Sequence, residues 1–326
     1  MKISESAEFE ILNALGQDLP GFVTATRTID VPTHIVRFFG RDADIVAIEP
    51  PGTTLEKFSL AGVQLKFSVI RDARSRYTLT IAGATGVTIV KLPHPTFPLL
   101  PENDFSSMHL ARMVGVDTPN FWLDDMSKLD IPGLDELKGS FFAIERFDRT
   151  ESSRVHIEDF AQVFGVRARD EYKGVSYDQL LAVIAHRTRD GERDVREAVR
   201  RLVVNILLGN GDAHLKNFSL VYRDPTKPDL APAYDVVSTV QYMPDDTTMA
   251  LSLAGEKDVA NLRLAHFEKV ARRIDFPRPQ RLANEARDTI QMAKKLWPAE
   301  LANLPISDRY RTSILERLTH LPIARE

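Results

Sequence analysis

The chain has 326 residues and a formal net charge of −4, from 46 acidic and 42 basic side chains, and this length predicts about two domains or one domain with two lobes. Because it has no cysteine, the sequence excludes a disulfide framework, a thiolate zinc site and a cysteine nucleophile, and it favours a cytoplasmic location. The near balance of charge gives no overall reason to expect direct nucleic-acid binding, and no segment has the roughly 20 consecutive apolar residues that a membrane span needs.

The first 150 residues are predicted to form mainly β-strands. Short runs rich in Val, Ile, Phe and Thr are separated by glycine and proline, a pattern typical of strands. Several such runs in succession favour a twisted, largely antiparallel sheet. One helix, over about 104–114, interrupts them with apolar residues at helical spacing. The predicted strands cover 22–26, 33–39, 63–70, 77–81, 87–90 and 141–144.

After about residue 149 the pattern changes to helices. Apolar residues recur at i, i+3, i+4 and i+7 through 177–185 and 195–207, and Gly209 stands where a helix commonly ends in glycine. The arginines of the second helix are predicted to lie on its solvent-exposed face; they are Arg193, Arg196, Arg200 and Arg201. Three more helices are predicted over 266–274, 281–296 and 307–321, the second of them ending at Trp297-Pro298.

This change of pattern predicts an α+β fold with two lobes. A strand-rich N-lobe would span 1–148 and a helical C-lobe 149–326. Ligands often bind in the cleft between two such units, so we expect the functional site there.

The segment 209–219, Gly-Asn-Gly-Asp-Ala-His-Leu-Lys-Asn-Phe-Ser, joins a strongly apolar helix to a predicted strand. Within it Asp212 and Asn217 are five residues apart, which is the separation of the catalytic aspartate and the Mg²⁺-binding asparagine in protein kinases. A carboxylate is needed to accept the proton of an attacking hydroxyl, and an amide oxygen can hold Mg²⁺ against phosphates. Lys216 would add positive charge near the transferred group.

Two further residues suit the same chemistry. Asp235 follows a predicted hairpin and fits a second Mg²⁺ ligand. Lys91 ends an apolar strand, as does the phosphate-binding lysine of kinases. Glu102 and Asp104 are the candidates for its acidic partner.

Each of these residues also has a simpler explanation. Asp212 beside a glycine is a common turn residue, and Lys91 could be a solvated strand end. Asp212 and His214 could instead belong to a metallohydrolase, although a second histidine at helical spacing is missing. The order of the elements along the chain favours the kinase interpretation.

Five ordered motifs closely resemble the family of HipA-type toxin kinases, over about residues 9–321. The resemblance implies bacterial Ser/Thr kinases of toxin–antitoxin systems that use ATP and Mg²⁺ and phosphorylate an aminoacyl-tRNA synthetase. The motifs are Ser-Leu-Ala-Gly-Val-Gln-Leu-Lys at 59–66, Val-Lys-Leu-Pro at 90–93, Ile-Glu-Arg-Phe-Asp-Arg at 144–149, Gly-Asp-Ala-His-Leu-Lys-Asn-Phe-Ser at 211–219 and Pro-Ala-Tyr-Asp-Val at 232–236.

The resemblance implies a role for each matched residue. Asp212 matches the catalytic aspartate, and Asn217 with Asp235 matches the Mg²⁺ ligands. Lys91 matches the phosphate-binding lysine. The other ATP-binding positions are Ala61, Gly62, Val63 and Gln64 in the phosphate loop, and Glu145 and Phe147 in the hinge between the lobes.

Ser59 matches a serine that kinases of this family autophosphorylate. A phosphate there would repel the ATP phosphates and lower activity, because it adds about −1.5 to −2 charge. The family match begins almost at Met1, which suggests the shorter HipT-like branch. The expected protein partners are a helix-turn-helix antitoxin and a small HipS-like protein. Contact with DNA is expected only through the antitoxin.

Two other functions share these residues. One is a phosphotransferase acting on a small alcohol. The other is a nucleotide-binding, non-catalytic partner of an antitoxin that acts in transcriptional repression. The intact set of Lys91, Asp212, Asn217 and Asp235 argues against the non-catalytic alternative.

Overall fold

The computed structural model describes residues 64–72, 74–79, 86–131, 134, 137–150, 153–166 and 174–326. The strands predicted at 22–26 and 33–39 lie outside the described residues, and so do Ser59, Ala61, Gly62 and Val63. Gln64 is the one residue of the predicted phosphate-loop set that the structure describes.

A six-stranded sheet forms the first part of the described chain. The strands are β1 (Lys66–Arg71), β2 (Tyr77–Leu79), β3 (Thr88–Lys91), β4 (Phe121–Asp125), β5 (Leu129–Asp130) and β6 (Ser140–Glu145). Their spatial order is β4-β6-β3-β1-β2-β5, and every neighbouring pair is antiparallel except β2 and β5. The predicted, largely antiparallel sheet is confirmed.

Strand β6 shows why this sheet has two apolar faces. Phe141 and Ala143 point to one side and pack in a small core that includes Val69. Phe142 and Ile144 point to the other side and join the large core shared with the helices. Since successive side chains of a strand face opposite ways, a continuous apolar run is what a doubly covered strand needs.

Helix α1 (Leu100–Met113) packs against the sheet on one side and the helical part on the other. It begins four residues before the predicted start, with Pro101 in its first turn, where the missing N–H has no intrahelical partner to lose. Buried polar side chains usually have hydrogen-bond partners, and several polar side chains of this helix are buried. They are Asn103, Asp104, Ser106 and Ser107.

The second part of the chain is mainly helical, as predicted. Its helices are α2 (Phe160–Val163), α3 (Tyr177–Arg187), α4 (Gly191–Leu208), α5 (Leu264–Arg273), α6 (Gln280–Glu300) and α7 (Asp308–His320). Two small antiparallel sheets accompany them: β7 (His156–Asp159), β8 (Ser219–Tyr222) and β9 (Asp229–Leu230) form one, and β10 (Thr248–Leu253) with β11 (Glu256–Asp258) the other. Within the part of the chain that the structure describes, no helix combines the length and apolar character needed to cross a membrane.

Helix α4 leads directly into the predicted catalytic loop. It ends at Gly209, whose left-handed φ of 71° confirms the predicted C-terminal glycine. A Cβ at this position would lie 2.6 Å from Val240 Cγ1, so the site excludes any larger residue without a shift.

The predicted end of helix α6 is wrong. The helix does not stop at Trp297-Pro298 but continues to Glu300, with Pro298 inside its last turn. A proline this close to a helix end removes only one intrahelical hydrogen bond. Trp297 is fully buried and its Nε1 donates a 3.0 Å hydrogen bond to Leu110 O, which fixes this turn.

The predicted exposure of the α4 arginines is also wrong for Arg201. Arg201 is 3% exposed, and its Nε donates to Glu197 Oε1 at 2.9 Å. Its Nη1 donates to Ala231 O at 2.7 Å. A charged residue can be buried in this way because its fork of donors finds a carboxylate and a carbonyl.

Candidate active site

A cavity of about 650 Å³ lies between the six-stranded sheet and the helical part. This volume is in the usual range for small-molecule sites, roughly 300–1,000 Å³. A smaller cavity of about 20 Å³ adjoins it and shares Lys66, Lys91 and Asp235 with it. Further residues of the smaller cavity are Gln64, Asp104, Asp212 and Asn217.

The ammonium group of Lys91 joins two carboxylates. Its Nζ lies 2.7 Å from Asp104 Oδ1 on helix α1 and 2.6 Å from Asp235 Oδ1 after strand β9. Lys91 is 5% exposed and Asp104 is 1% exposed. Of the two candidate partners for Lys91, the structure therefore selects Asp104, and Glu102 is not the partner.

Burial and ion pairing together set the protonation of these groups. Burial alone would lower the pKa of Lys91, but Asp104 and Asp235 outweigh it and raise that pKa. Burial also opposes ionisation of Asp235, yet Lys66 and Lys91 hold its pKa well below the ordinary value. At Asp104 burial dominates and raises the pKa, although Lys91 opposes it. Asp104 is therefore the first of the two carboxylates to take up a proton as the pH falls.

Asp212 lies on the short loop that follows helix α4. Its backbone N–H donates to Asn210 Oδ1 at 3.0 Å, and Tyr177 Oη donates to Ala213 O at 2.7 Å. The residue is 6% exposed and its side chain reaches the smaller cavity. A catalytic carboxylate needs such a fixed backbone to keep one position.

His214 has a structural role in this loop. It is fully buried, and its Nδ1 accepts the N–H of Lys216 at 3.2 Å. The N–H of His214 donates to Asn217 Oδ1 at 3.1 Å, which closes a short 3₁₀ helix at Leu215–Asn217. These bonds hold Asn217 in the wall of the smaller cavity together with Asp212.

Asp235 has an uncommon backbone conformation, with φ at 53°. Left-handed backbone at a residue other than glycine costs on the order of 1–3 kcal/mol and persists where its surroundings enforce it. The preceding residue, Tyr234, helps to hold this backbone conformation, because its Oη donates to Lys216 O at 2.8 Å. On the other side, Asn103 of helix α1 binds the backbone of Ser238.

Glu145 and Phe147 both line the larger cavity, where the sequence predicts the adenine-binding hinge. The backbone N–H of Glu145 donates to Asn120 O at 2.8 Å, and Asn120 Nδ2 donates to Glu145 Oε2 at 2.8 Å. The ring of Phe147 packs against Tyr234, with 5.6 Å between ring centroids. Lys216 lines the same cavity.

The residues present fit a magnesium ion bound with a nucleotide. Asp235 and Asn217 supply a carboxylate and an amide, whose oxygens Mg²⁺ prefers, in the wall of one cavity. Across the described ranges, no three or more His, Cys, Asp or Glu side chains form a metal cage. Mg²⁺ commonly takes one or two protein carboxylates and completes its coordination with phosphate and water.

Two residues of the site were missed by the sequence interpretation. Lys66 Nζ lies 3.5 Å from Asp235 Oδ2, and Asn103 holds the segment after Asp235. The signal for Lys66 was its place in the motif 59–66, where its side chain was given no role. The signal for Asn103 is the run of small polar residues that it shares with Asp104, Ser106 and Ser107 on a helix packed in the core.

The sequence matches a known protein family over most of its length. The model of the HipA-like C-terminal domain matches residues 58–297. The chain is 39% identical over 326 residues to Y4dM of Sinorhizobium fredii, which is named as a predicted kinase, covering 98% of this chain and 76% of that protein. The serine/threonine-protein kinase toxin HipA of Shewanella oneidensis is 23% identical over 350 residues, covering 97% of this chain and 77% of that protein.

A solved structure supports the fold. The complex of Shewanella oneidensis HipA with HipB and operator DNA contains a chain that matches this one with a TM-score of 0.75 at 20% identity. The match covers 97% of this chain and 79% of that chain. The predicted α+β, two-lobed, kinase-like fold is confirmed, while the boundary at 148/149 stays a prediction.

Proposed function

Because this chain belongs to the HipA-like C-terminal domain family, we propose that it is an ATP-dependent Ser/Thr protein kinase. The observation that carries this proposal is that Lys91, Asp212, Asn217 and Asp235 line one small cavity although they come from three separate chain segments. That cavity opens beside a larger one of nucleotide size. This is the arrangement that phosphoryl transfer requires, since its catalysis is mainly positioning and charge stabilisation.

In this proposal Asp212 acts on the protein substrate. The serine hydroxyl oxygen forms a bond to the γ-phosphorus of ATP, and the bond from that phosphorus to the β,γ-bridging oxygen breaks. The proton of the hydroxyl passes to the Asp212 carboxylate, and ADP leaves. The hydrogen bonds around Asn210 and Ala213 keep Asp212 in place for this step.

The cations of the site act on the phosphates. Lys91, held by Asp104, lies at the end of β3 where the α- and β-phosphates would bind. Asn217 and Asp235 would hold Mg²⁺, which supplies charge neutralisation of the phosphates when bound. Lys216 lines the larger cavity and would face the transferred group.

The wider biological role follows by likeness to relatives. HipA of Shewanella oneidensis is named as a toxin, and its solved complex contains HipB and operator DNA. We propose that this chain is the toxin of a toxin–antitoxin system and modifies an aminoacyl-tRNA synthetase. Its partners would be a helix-turn-helix antitoxin and a small HipS-like protein, and Ser59 would be its autophosphorylation site.

The test is incubation of purified, dephosphorylated protein with Mg²⁺ and labelled ATP, followed by mass mapping, with Asp212→Asn as the matched inactive variant. Label on Ser59 in the wild type and its absence in the variant are expected. A bacterial lysate supplies protein substrates in a second arm. Failure to label any protein in either arm, with ATP binding intact, would overturn the kinase proposal and favour a non-catalytic nucleotide-binding partner; label on a small alcohol alone would favour the small-molecule phosphotransferase.

A further inference from the structure

Leu99 has two features that oppose the stability of the fold. Its backbone is left-handed, with φ at 56°, a conformation that is rare for a bulky side chain. The residue is also 50% exposed, although an apolar side chain gains stability by burial. It is the N-cap residue of helix α1, a position where Ser, Thr, Asp or Asn is preferred. Residues that break local rules in this way are typical of functional sites.

Leu99 lines a third cavity, of about 170 Å³, at the start of helix α1. Its other walls come from the segment after Asp235, through Gln241 and Tyr242, and from the first turn of helix α7, through Tyr310. This volume is below the roughly 300–1,000 Å³ of small-molecule sites. A single side chain of a protein partner therefore fits the third cavity better than a nucleotide or a metabolite does.

An apolar surface connects the third cavity to the proposed catalytic group. Leu100 and Val237 line the smallest cavity together with Asp212. They form one cluster with Phe97 and Tyr242, whose ring centroids are 5.1 Å apart. Tyr242 in turn lines the third cavity. A protein chain whose serine is bound at Asp212 can therefore place a neighbouring side chain in the third cavity.

The walls of the third cavity are held in place by hydrogen bonds. Tyr242 Oη donates to Pro98 O at 3.2 Å, and Asn103 Nδ2 donates to Tyr242 Oη at 3.3 Å. On the other side, Tyr310 Oη shares a 2.5 Å hydrogen bond with Ser107 Oγ. A preformed pocket of this kind loses little conformational freedom when a ligand enters it.

The rim of the third cavity carries a positive charge. Arg309 is exposed and lines the cavity from the first turn of helix α7. Complementary charge at the edge of an interface attracts the correct partner and disfavours one of the same sign. Arg309 therefore favours an acidic residue, and disfavours a basic one, beside the side chain that enters the cavity.

We propose that the third cavity binds an apolar side chain of the protein substrate, from the segment that carries the phosphorylated serine, with an acidic residue beside it facing Arg309. This inference rests on the proposed kinase function and adds a class of substrate to it. Leu99 stays exposed in the free protein because the substrate, and not the fold, covers it.

The test measures the transfer of labelled phosphate from ATP to the proteins of a bacterial lysate, at several lysate concentrations. Leu99→Asn removes the apolar side chain, Leu99→Met keeps an apolar one, and Arg309→Glu reverses the charge at the rim. Leu315→Asn is the matched control, because Leu315 is 39% exposed and lines none of the three cavities. Binding of a non-hydrolysable ATP analogue, thermal unfolding and sedimentation are measured for every variant.

Leu99→Asn should label lysate proteins about tenfold more slowly at low lysate concentration, since the substrate no longer covers this apolar surface. The deficit should narrow at high concentration, because the lost interaction is one of binding. Its affinity for the ATP analogue should equal that of the wild type. Its melting temperature should be at least as high, because asparagine adopts left-handed backbone more readily than leucine does.

The other variants should separate the apolar contact from the charge. Leu99→Met should label within about twofold of the wild type, because methionine replaces leucine in apolar contacts at small cost. Leu315→Asn should label as the wild type does, and Arg309→Glu should label more slowly. Mass mapping of the wild-type products should find an apolar and an acidic residue close to each labelled serine.

Several outcomes would overturn the inference. Equal labelling by Leu99→Asn and the wild type at every lysate concentration would remove the substrate contact, and unchanged labelling by Arg309→Glu would remove the acidic residue. A lower melting temperature with weaker analogue binding would show that Leu99 supports the fold. A wild-type dimer that Leu99→Asn dissociates would assign the cavity to a second copy of the chain. If the wild type binds the analogue but labels no protein, the kinase proposal fails, and this inference fails with it.

Discussion

Asn103 holds both backbone groups of Ser238. Its Nδ2 donates to Ser238 O at 2.9 Å, and the N–H of Ser238 donates to Asn103 Oδ1 at 3.0 Å. Asn103 is the neighbour of Asp104, which holds Lys91, and Ser238 follows Asp235 by three residues. Helix α1 therefore fixes Asp235 twice, through the Lys91 ion pair and through the backbone that follows.

We predict that Asn103→Ala weakens Mg²⁺ binding at the proposed site and also lowers the stability of the fold. It leaves the N–H and C=O of Ser238 without these bonds in a buried position, at a cost of about 1–3 kcal/mol in the free energy of unfolding. Because the backbone that follows Asp235 is then less firmly held, the Mg²⁺ concentration that gives half-maximal phosphate transfer should rise about tenfold. Urea unfolding and a Mg²⁺ titration measure the two effects.

Ser107→Ala is the matched control for this prediction. Ser107 Oγ donates to the same Asn103 Oδ1 at 3.0 Å but forms no bond to Ser238. It should lower stability with an unchanged Mg²⁺ requirement. If the Mg²⁺ requirement rises in both variants in proportion to their loss of stability, the effect is not specific to Asn103, and its positioning role is contradicted.

We predict that removing Lys91 alone is more damaging to stability than removing Lys91 and Asp104 together. Lys91→Met leaves a buried carboxylate without its cation, at a cost of about 3–5 kcal/mol. Adding Asp104→Leu replaces that carboxylate with an apolar side chain and should restore much of the loss. Both proteins should lack phosphate transfer. Thermal and urea unfolding compare them, and equal stability of the single and double variants would contradict the buried ion-pair account.

The strands and helices above show what the sequence could predict. The continuous apolar run at 141–144 and the helical spacing in 177–185 and 195–207 are local patterns, and the strand and the two helices that they predict are confirmed. Asp212, Asn217 and Asp235 are predicted as site residues because they stand in short motifs whose order along the chain matches that of kinases. The bonds of Asn103 to Ser238 join residues 135 positions apart, and no local pattern records such a pair.

Burial was harder to predict than secondary structure. Arg201 was expected in solvent because arginine on an amphipathic helix is commonly exposed. Its buried position depends on Glu197, one turn earlier, and on Ala231, which follows strand β9 and is distant in sequence. Likewise, the choice of Asp104 over Glu102 depends on how α1 is rotated against β3, which follows from packing of the whole helix.

We predict that the stability provided by the Asp235 carboxylate is lost in acid. Lys66 and Lys91 hold its pKa below the ordinary 3.8, so the folded protein keeps this group ionised at a pH where the unfolded chain would protonate it. This stabilisation is complete above 3.8 and falls as the pH drops further. The difference in unfolding free energy between wild type and Asp235→Asn should therefore stay constant in urea titrations from pH 6 down to about the ordinary value of 3.8 and shrink below it. A difference that stays constant below 3.8 as well would contradict this prediction.

We predict that Gly211→Ala displaces the carboxylate of Asp212, the proposed catalytic group. A Cβ there would lie 2.7 Å from Asp246 Oδ2 and 3.2 Å from Thr248 O, so the loop must shift at a cost of about 1–3 kcal/mol. Because Asp212 is the next residue, kcat should fall more than the affinity for ATP. Asp246→Ala removes the nearer obstacle, and the double variant should recover part of kcat; no recovery would contradict this steric account.

Helix α1 is attached differently on its two sides. Towards the helices it forms directional hydrogen bonds, from Asn103 to Ser238 and from Trp297 Nε1 to Leu110 O. Towards the sheet it packs mainly through apolar contacts such as Phe105 with Phe121, whose ring centroids are 5.8 Å apart. Apolar contacts fix no particular direction, whereas hydrogen bonds do. The Lys91–Asp104 ion pair is therefore a directional link between the sheet and α1, and it sets the position of β3 against this helix.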